Sequence, residues 1–192
     1  MTKPGVPKLD FLVPGRLDQI TGGYLFDRRI VEGLRARGVT TSWDFGWNPP
    51  LRAAAGFGAL LRAPDFIFVN EAEAAMYARS RGSAAAIGYW RRAARNTVIK
   101  LGSRGSRWIA GDQVDRDVAA PAPRVRAVDT TGAGDVFRGG FIYALVNGQP
   151  IAEALRTANA AAAVSCTRLG ALGGVPTLDE VRELVASGKV RV

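Results

Sequence analysis

The chain has 192 residues, 47% hydrophobic and 22% charged, which is the balance of one globular domain and not of a disordered segment. With no histidine and one cysteine, Cys166, it excludes Ser-His-Asp and Cys-His catalysis, His-ligated metals, an internal disulfide and a CxxC zinc site, and it fits a reducing cytoplasm. The 26 Lys and Arg against 17 Asp and Glu leave a charge of +9, and the longest uncharged run, Gly139 to Ala152, is too short and too polar to span a membrane.

In chain order, Met1 to Asp10 lacks the apolar stretch of a secretory signal, and Leu9 to Val13 is an apolar run closed by Pro14-Gly15, a strand and turn. Tyr24 to Arg37 places Phe26, Ile30 and Leu34 on one helical face, with Gly38 as a stop. Thr41 to Phe45 reads as a strand broken by Asn48-Pro49-Pro50, and Leu51 to Leu61 as a helix weakened by Gly56 and Gly58. Asp65 to Val69 is a buried strand leading straight into Asn70-Glu71-Ala72-Glu73. Ser83 to Arg95 is helical, Thr97 to Leu101 a strand and Gly102 to Ser106 a turn. Arg107 to Ala110 and Gln113 to Ala119 read as short strands around Gly111-Asp112, and Val125 to Val128 as a last strand. Helices then run to about Val146, from near Pro150 to Arg168, and from Asp179 to Ala186. Strands alternating with helices predict a layered α/β sheet.

The charge is unevenly spread. Up to Arg126 there are 20 bases and 11 acids, and from Ala127 onward 6 of each. A basic surface attracts nucleic acid, anionic lipid or a phosphorylated ligand, but 22 of the 26 bases are scattered arginines and no nucleic-acid motif accompanies them. A solvated arginine-rich surface is the plainer reading, and no nucleic-acid partner is expected.

The strongest local signal is Asp129-Thr130-Thr131-Gly132-Ala133-Gly134-Asp135, a strand end followed by hydroxyls and a glycine-rich turn that opens a helix. Gly132, Ala133 and Gly134 present backbone N–H groups to an anion, aided by the helix dipole. Asp135, in the first turn, can take a proton from an alcohol while those N–H groups hold a phosphoryl group. An N-cap with an acidic first turn would account for the same residues structurally. A dinucleotide GxGxxG fails because Phe137 stands at its last glycine, and no GxxxxGK[ST] occurs.

This motif, followed by Phe137 and Gly140, resembles the second signature of the ribokinase-like (PfkB) carbohydrate kinases. Asn70-Glu71-Ala72-Glu73 resembles the family's NxxE motif, and Lys100-Leu101-Gly102-Ser103-Arg104-Gly105 its TLGxxG nucleotide loop, with Lys where Thr is common. Asn159 to Ala162 and Thr167 to Ala171 resemble the helix and turn beside the adenine and a monovalent-cation site. The resemblance covers about residues 42–192, in the register of the C-terminal half of such a kinase. It implies an αβα layered sheet of ribokinase-like type, incomplete for want of the N-terminal half and its lid. It also implies ATP-dependent phosphoryl transfer to a hydroxyl of a sugar or related small alcohol. Asp135 is then the base and Gly132 to Gly134 the anion hole. Lys100, Gly102, Gly105 and Asn159 bind ATP, and Asn70 and Glu73 hold Mg2+ through water. Asp129, Thr131, Ser165, Arg168 and Gly170 surround K+.

Each assignment has a structural alternative. Asn70 and Glu73 have capping-box spacing, Gly102 and Gly105 suit a hairpin turn, Asn159 suits a buried alanine-rich helix, and Cys166 is a small apolar residue. No GGxxxN motif is found, since Gly22-Gly23-Tyr24-Leu25-Phe26-Asp27 lacks the Asn. Residues 9–38 resemble the opening βα unit of a GT-B glycosyltransferase, so residues 1–41 are read as a separate segment joined to a kinase domain at 42–192. A non-catalytic nucleotide-binding remnant and a glycosyltransferase–kinase fusion fragment are the competing functions. An exposed sheet edge would favour self-association.

Overall fold

The computed structural model describes residues 33–80, 82–111 and 113–187. The strand at Leu9 to Val13, the Gly22-Gly23 turn, most of the helix at Tyr24 to Arg37 and Asp112 of the Gly111-Asp112 turn lie outside them. Five strands form one sheet in the order β1 (Ser42–Asp44), β2 (Phe66–Asn70), β3 (Asn96–Lys100), β4 (Ser106–Ala110) and β5 (Val118–Ala120). β1 runs parallel to β2 and β4 antiparallel to β5, so the sheet is mixed. Among the described residues no helix is long and apolar enough to cross a membrane.

Contacts divide the chain into two compact units, Met1–Ile99 with Ile109–Asp117, and Lys100–Trp108 with Val118–Val192. In the first, Gly38 ends the helical residues 33–36 at φ 76°. β1 and β2 pair with Trp43 opposite Ile67. Asp65 joins the two ends, accepting from Arg35 Nε at 2.7 Å and from the Thr41 amide at 3.0 Å. The expected helix over 51–61 is two short ones, α1 (Pro49–Ala53) and α2 (Phe57–Arg62). Asn48 caps the first through its side chain, so the two prolines start a helix instead of merely ending a strand, and Gly56 at φ 88° divides the pair. α3 (Glu71–Ala78) follows β2 without a loop, and α4 (Ser83–Ala93) packs beside it. Tyr77 is fully buried, stacked 5.5 Å from Phe57 and edge-on 6.2 Å from Trp90, and its hydroxyl donates to Gly46 O at 2.9 Å. Burial drives that hydroxyl well above the usual tyrosine pKa.

In the second unit β4 and β5 pair with Trp108 opposite Val118. Three helices follow: α5 (Ala133–Val146), α6 (Ile151–Ser165) and α7 (Leu178–Ser187). α5 and α6 pack closely because Gly140 has no side chain; a Cβ there would stand 3.1 Å from Ala161 Cβ and 3.2 Å from Ala158 Cα. Ala160, Ala161, Ala163 and Val164 of α6 bury against Val181 and Leu184 of α7. Val125 to Val128, expected as a strand, is irregular. The Val128 amide donates 2.7 Å to Cys166 O at the end of α6, so this segment is pinned to a helix terminus. The second expected hairpin strand is also shorter, with a 3₁₀ turn at Val114–Arg116 preceding β5.

Candidate active site

The glycine-rich motif lies wholly within the second unit. Gly132 takes φ 77° at the N-cap of α5, a left-handed conformation that glycine adopts without strain. Its carbonyl accepts from Asp135 N at 2.9 Å and Val136 N at 3.0 Å, while Ala133 N donates to Thr130 O at 3.2 Å. A Cβ on Gly132 would press 3.0 Å from Ala171 Cβ, so the turn fits closely against the segment after α6.

Asp129 fastens that fit. Its Oδ1 accepts from Thr131 N at 2.9 Å and Thr131 Oγ1 at 2.7 Å, and its Oδ2 from Gly170 N at 2.9 Å. These bonds, led by the Thr131 amide, hold its carboxyl below the usual carboxylate range. Asp129, Thr131 and Gly170 therefore form one knot, whereas Ser165 and Arg168 face other partners. Ser165 Oγ donates to Ala162 O at 2.8 Å, and Arg168 is ion-paired to Glu180. Glu180 also caps α7, accepting from the Thr177 amide at 2.7 Å. Arg168, then that amide, pull the Glu180 carboxyl down to about 2.

Two cavities flank the start of α5. One, about 490 Å³, is lined by Ala133 and Gly134 of the motif together with Lys100, Gly102, Gly105, Arg124, Asn159 and Cys166. Among the described residues no acidic side chain lines it, and two cations do. The other, about 550 Å³, is lined by Gly132 and Asp135 and by apolar residues including Tyr143, Leu172 and Val175. The motif is thus the partition between an electropositive cavity and a second one onto which Asp135 opens. Asp135 is 76% exposed and ion-paired to Arg138 Nη2 at 2.8 Å.

The loop over Gly102–Arg104 is one 3₁₀ turn closed by Leu101 N donating to Gly105 O at 2.8 Å. A Cβ on Gly105, at φ 96°, would overlap the Ala120 carbonyl and stand 2.7 Å from Ala122 N. Asn159 is buried, and its Nδ2 donates to Ala120 O at 3.0 Å and Pro121 O at 3.3 Å. Loop glycines and buried amide serve the architecture and line the cavity at once. Burial pushes the Cys166 thiol above its usual pKa. In the first unit Asn70 and Glu73 form a reciprocal capping box on α3, with Glu73 N to Asn70 Oδ1 at 2.8 Å and Asn70 N to Glu73 Oε2 at 2.7 Å. Among the described residues no three acidic or cysteine side chains gather as a metal cluster.

Arg138 and Arg124 were not anticipated from the sequence. The i, i+3 spacing from Asp135 signals the first, but nothing local signals the second.

The sequence profile of the pfkB family of carbohydrate kinases matches residues 31–178. Ribokinase of Bacillus subtilis is 47% identical over 88 residues, which are 46% of this chain and 29% of that one. Fructokinase-2 of Zea mays is 29% identical over 170 residues, covering 81% of this chain and half of the plant enzyme. The crystal structure of aminoimidazole riboside kinase from Salmonella enterica, complexed with aminoimidazole riboside and an ATP analogue, superposes with a TM-score of 0.72. That match has 26% identity over 84% of this chain and 57% of that one. The chain therefore spans about half the length, or less, of the relatives it matches, and its fold is ribokinase-like. The likeness of residues 9–38 to a glycosyltransferase is not borne out, and the kinase match already begins at residue 31.

Proposed function

Because the chain belongs to the pfkB family of carbohydrate kinases, we propose that it carries the ATP-binding and phosphoryl-transfer machinery for phosphorylating a hydroxyl of a sugar or related small alcohol. The observation that carries this reading is the partition. Gly134 and Ala133 face the electropositive cavity, and Asp135 faces its neighbour across one turn of helix. A polyanionic donor suits the first cavity, where backbone N–H groups and the dipole of α5 meet Lys100 and Arg124.

In the proposed reaction the acceptor oxygen attacks the γ-phosphorus, the bond from that phosphorus to the β–γ bridging oxygen breaks, and ADP leaves. The acceptor proton passes to an oxygen of Asp135. Arg138 holds Oδ1 of that carboxylate, which leaves Oδ2 to face the hydroxyl. Gly132 and Gly134 supply N–H groups for the transferring charge, while the Ala133 N–H holds the turn through Thr130 O, and Gly102, Gly105 and Asn159 shape the nucleotide cavity. Asn70 and Glu73 fit an outer-shell role toward magnesium, because the capping box uses only Oε2 of Glu73; the ion would supply charge neutralisation on the phosphates. Potassium fits less well. Both oxygens of Asp129 already accept hydrogen bonds, Oδ1 from the Thr131 amide and hydroxyl and Oδ2 from the Gly170 amide, so little of that carboxylate is left for a cation. No step runs through that ion.

Isothermal calorimetry with MgATP and Mg-UDP-glucose tests the reading. It expects ATP heat that exceeds the UDP-sugar heat; tight UDP-sugar binding without ATP binding would overturn it.

A further inference from the structure

We propose that Lys100 recognises the terminal phosphoryl group of the nucleotide and neutralises its charge during transfer. The inference rests on the kinase reading above and deepens it at one side chain.

Lys100 is the last residue of β3, at the carboxyl end of a strand, where α/β sheets gather their ligands. Its Nζ lies 3.3 Å from the point a Cβ on Gly134 would occupy. Gly134 is the second residue of α5, within the first turn whose N–H groups lack intrahelical acceptors. The ammonium and the amino end of the helix therefore converge on one small volume of the 490 Å³ cavity. Arg124 lines the same cavity, so two cations share it, but Lys100 is the one whose charge stands over the glycine turn. A Cβ at position 134 would crowd that ammonium and make it give by a few tenths of an ångström.

A lysine at this place differs in kind from a neutral hydrogen-bonding side chain. A hydroxyl offers one neutral hydrogen bond, whereas an ammonium offers three donors and a full charge. In phosphoryl transfer charge is spread over the equatorial oxygens and builds on the leaving bridge oxygen, so a cation fixed at that locus favours the transition state as well as the triphosphate. Lys100 keeps its protons throughout, and the bonds made and broken remain those at phosphorus.

Calorimetry on the full chain with MgADP and with the magnesium complex of β,γ-imido-ATP tests this. Lys100→Met should weaken binding of the triphosphate analogue about 10–100-fold, the range of a lost charge-assisted bond. It should change MgADP binding by less than about threefold, as for a distant screened charge. Arg124→Met should weaken both ligands by similar factors. Gly134→Ala, which keeps both cations and crowds Nζ by a few tenths of an ångström, should erode the triphosphate preference less than Lys100→Met does. Lys100→Arg should restore part of it, and Lys100→Thr serves if the Met variant does not fold. A triphosphate preference that survives in the folded Lys100 variants overturns this inference and leaves the kinase reading standing. A wild-type chain that binds neither nucleotide overturns both.

Discussion

Asp135 and Arg138 form an ion pair at 2.8 Å one turn apart on α5, with the arginine side chain 29% exposed and the carboxylate 76% exposed. The more buried partner is the cation, so the arginine is the anchor and the acid the tethered group. An exposed i, i+3 pair contributes only about 0.2–0.5 kcal/mol to stability, so its value lies in orienting the carboxylate. In a double-mutant cycle by thermal melting, the coupling between Arg138→Gln and Asp135→Asn should be no more than about 0.5 kcal/mol. In Arg138→Gln alone, phosphoryl transfer from MgATP should fall by less than about tenfold, well short of the loss expected for a missing base. A loss equal to that of an Asp135 variant would make Arg138 itself essential to the chemistry.

Two glycines of the second unit should respond in opposite ways to one methyl group. At Gly105 the new Cβ meets backbone atoms around Ala120 to Ala122 in a left-handed conformation, so Gly105→Ala should cost about 3 kcal/mol or more in urea unfolding. At Gly139, inside α5 with nothing within 4 Å of the Cβ position, Gly139→Ala should stabilise by about 0.5–1 kcal/mol through helix propensity. Equal effects at the two sites would contradict the loop geometry.

Glu180 gives a pH signature. Its folded pKa, about 2, lies below the ordinary 4.5, so its contribution to stability is complete above about pH 4.5 and is lost as pH falls toward 2. The pair with Arg168 is more than a third exposed, which limits its worth to about 0.5–1 kcal/mol. Glu180→Gln should melt below wild type at pH 7, and the two curves should converge near pH 2. A gap that persists unchanged at pH 2 would mean that charge is not the source.

The glycine motif was legible in the sequence because its chemistry is local: Gly132, Gly134 and Asp135 are set by the turn that opens one helix. The same holds for the capping box of Asn70 and Glu73, whose spacing alone defines it. The helix over 51–61 was misread because apolar periodicity registers neither the Asn48 cap nor the φ of Gly56. Val125 to Val128 has the composition of a strand, but its backbone bonding is decided by Cys166, 38 residues away from Val128 in sequence. Likewise the partition between the two cavities depends on Arg124, Asn159 and Leu172 arriving from separate segments, which no local pattern records.

The most direct measurement is phosphoryl transfer from γ-labelled MgATP, with ribose and fructose as acceptors and water as the default acceptor, for wild type and Asp135→Asn. The variant keeps size and most capping capacity but cannot take a proton. Turnover should drop about 10²–10⁴-fold, while ATP affinity stays within a few-fold, since the substitution leaves the backbone N–H donors of the anion site in place. Unchanged turnover per folded molecule in Asp135→Asn, against a measurable wild-type rate, would contradict the assignment of Asp135 as the base.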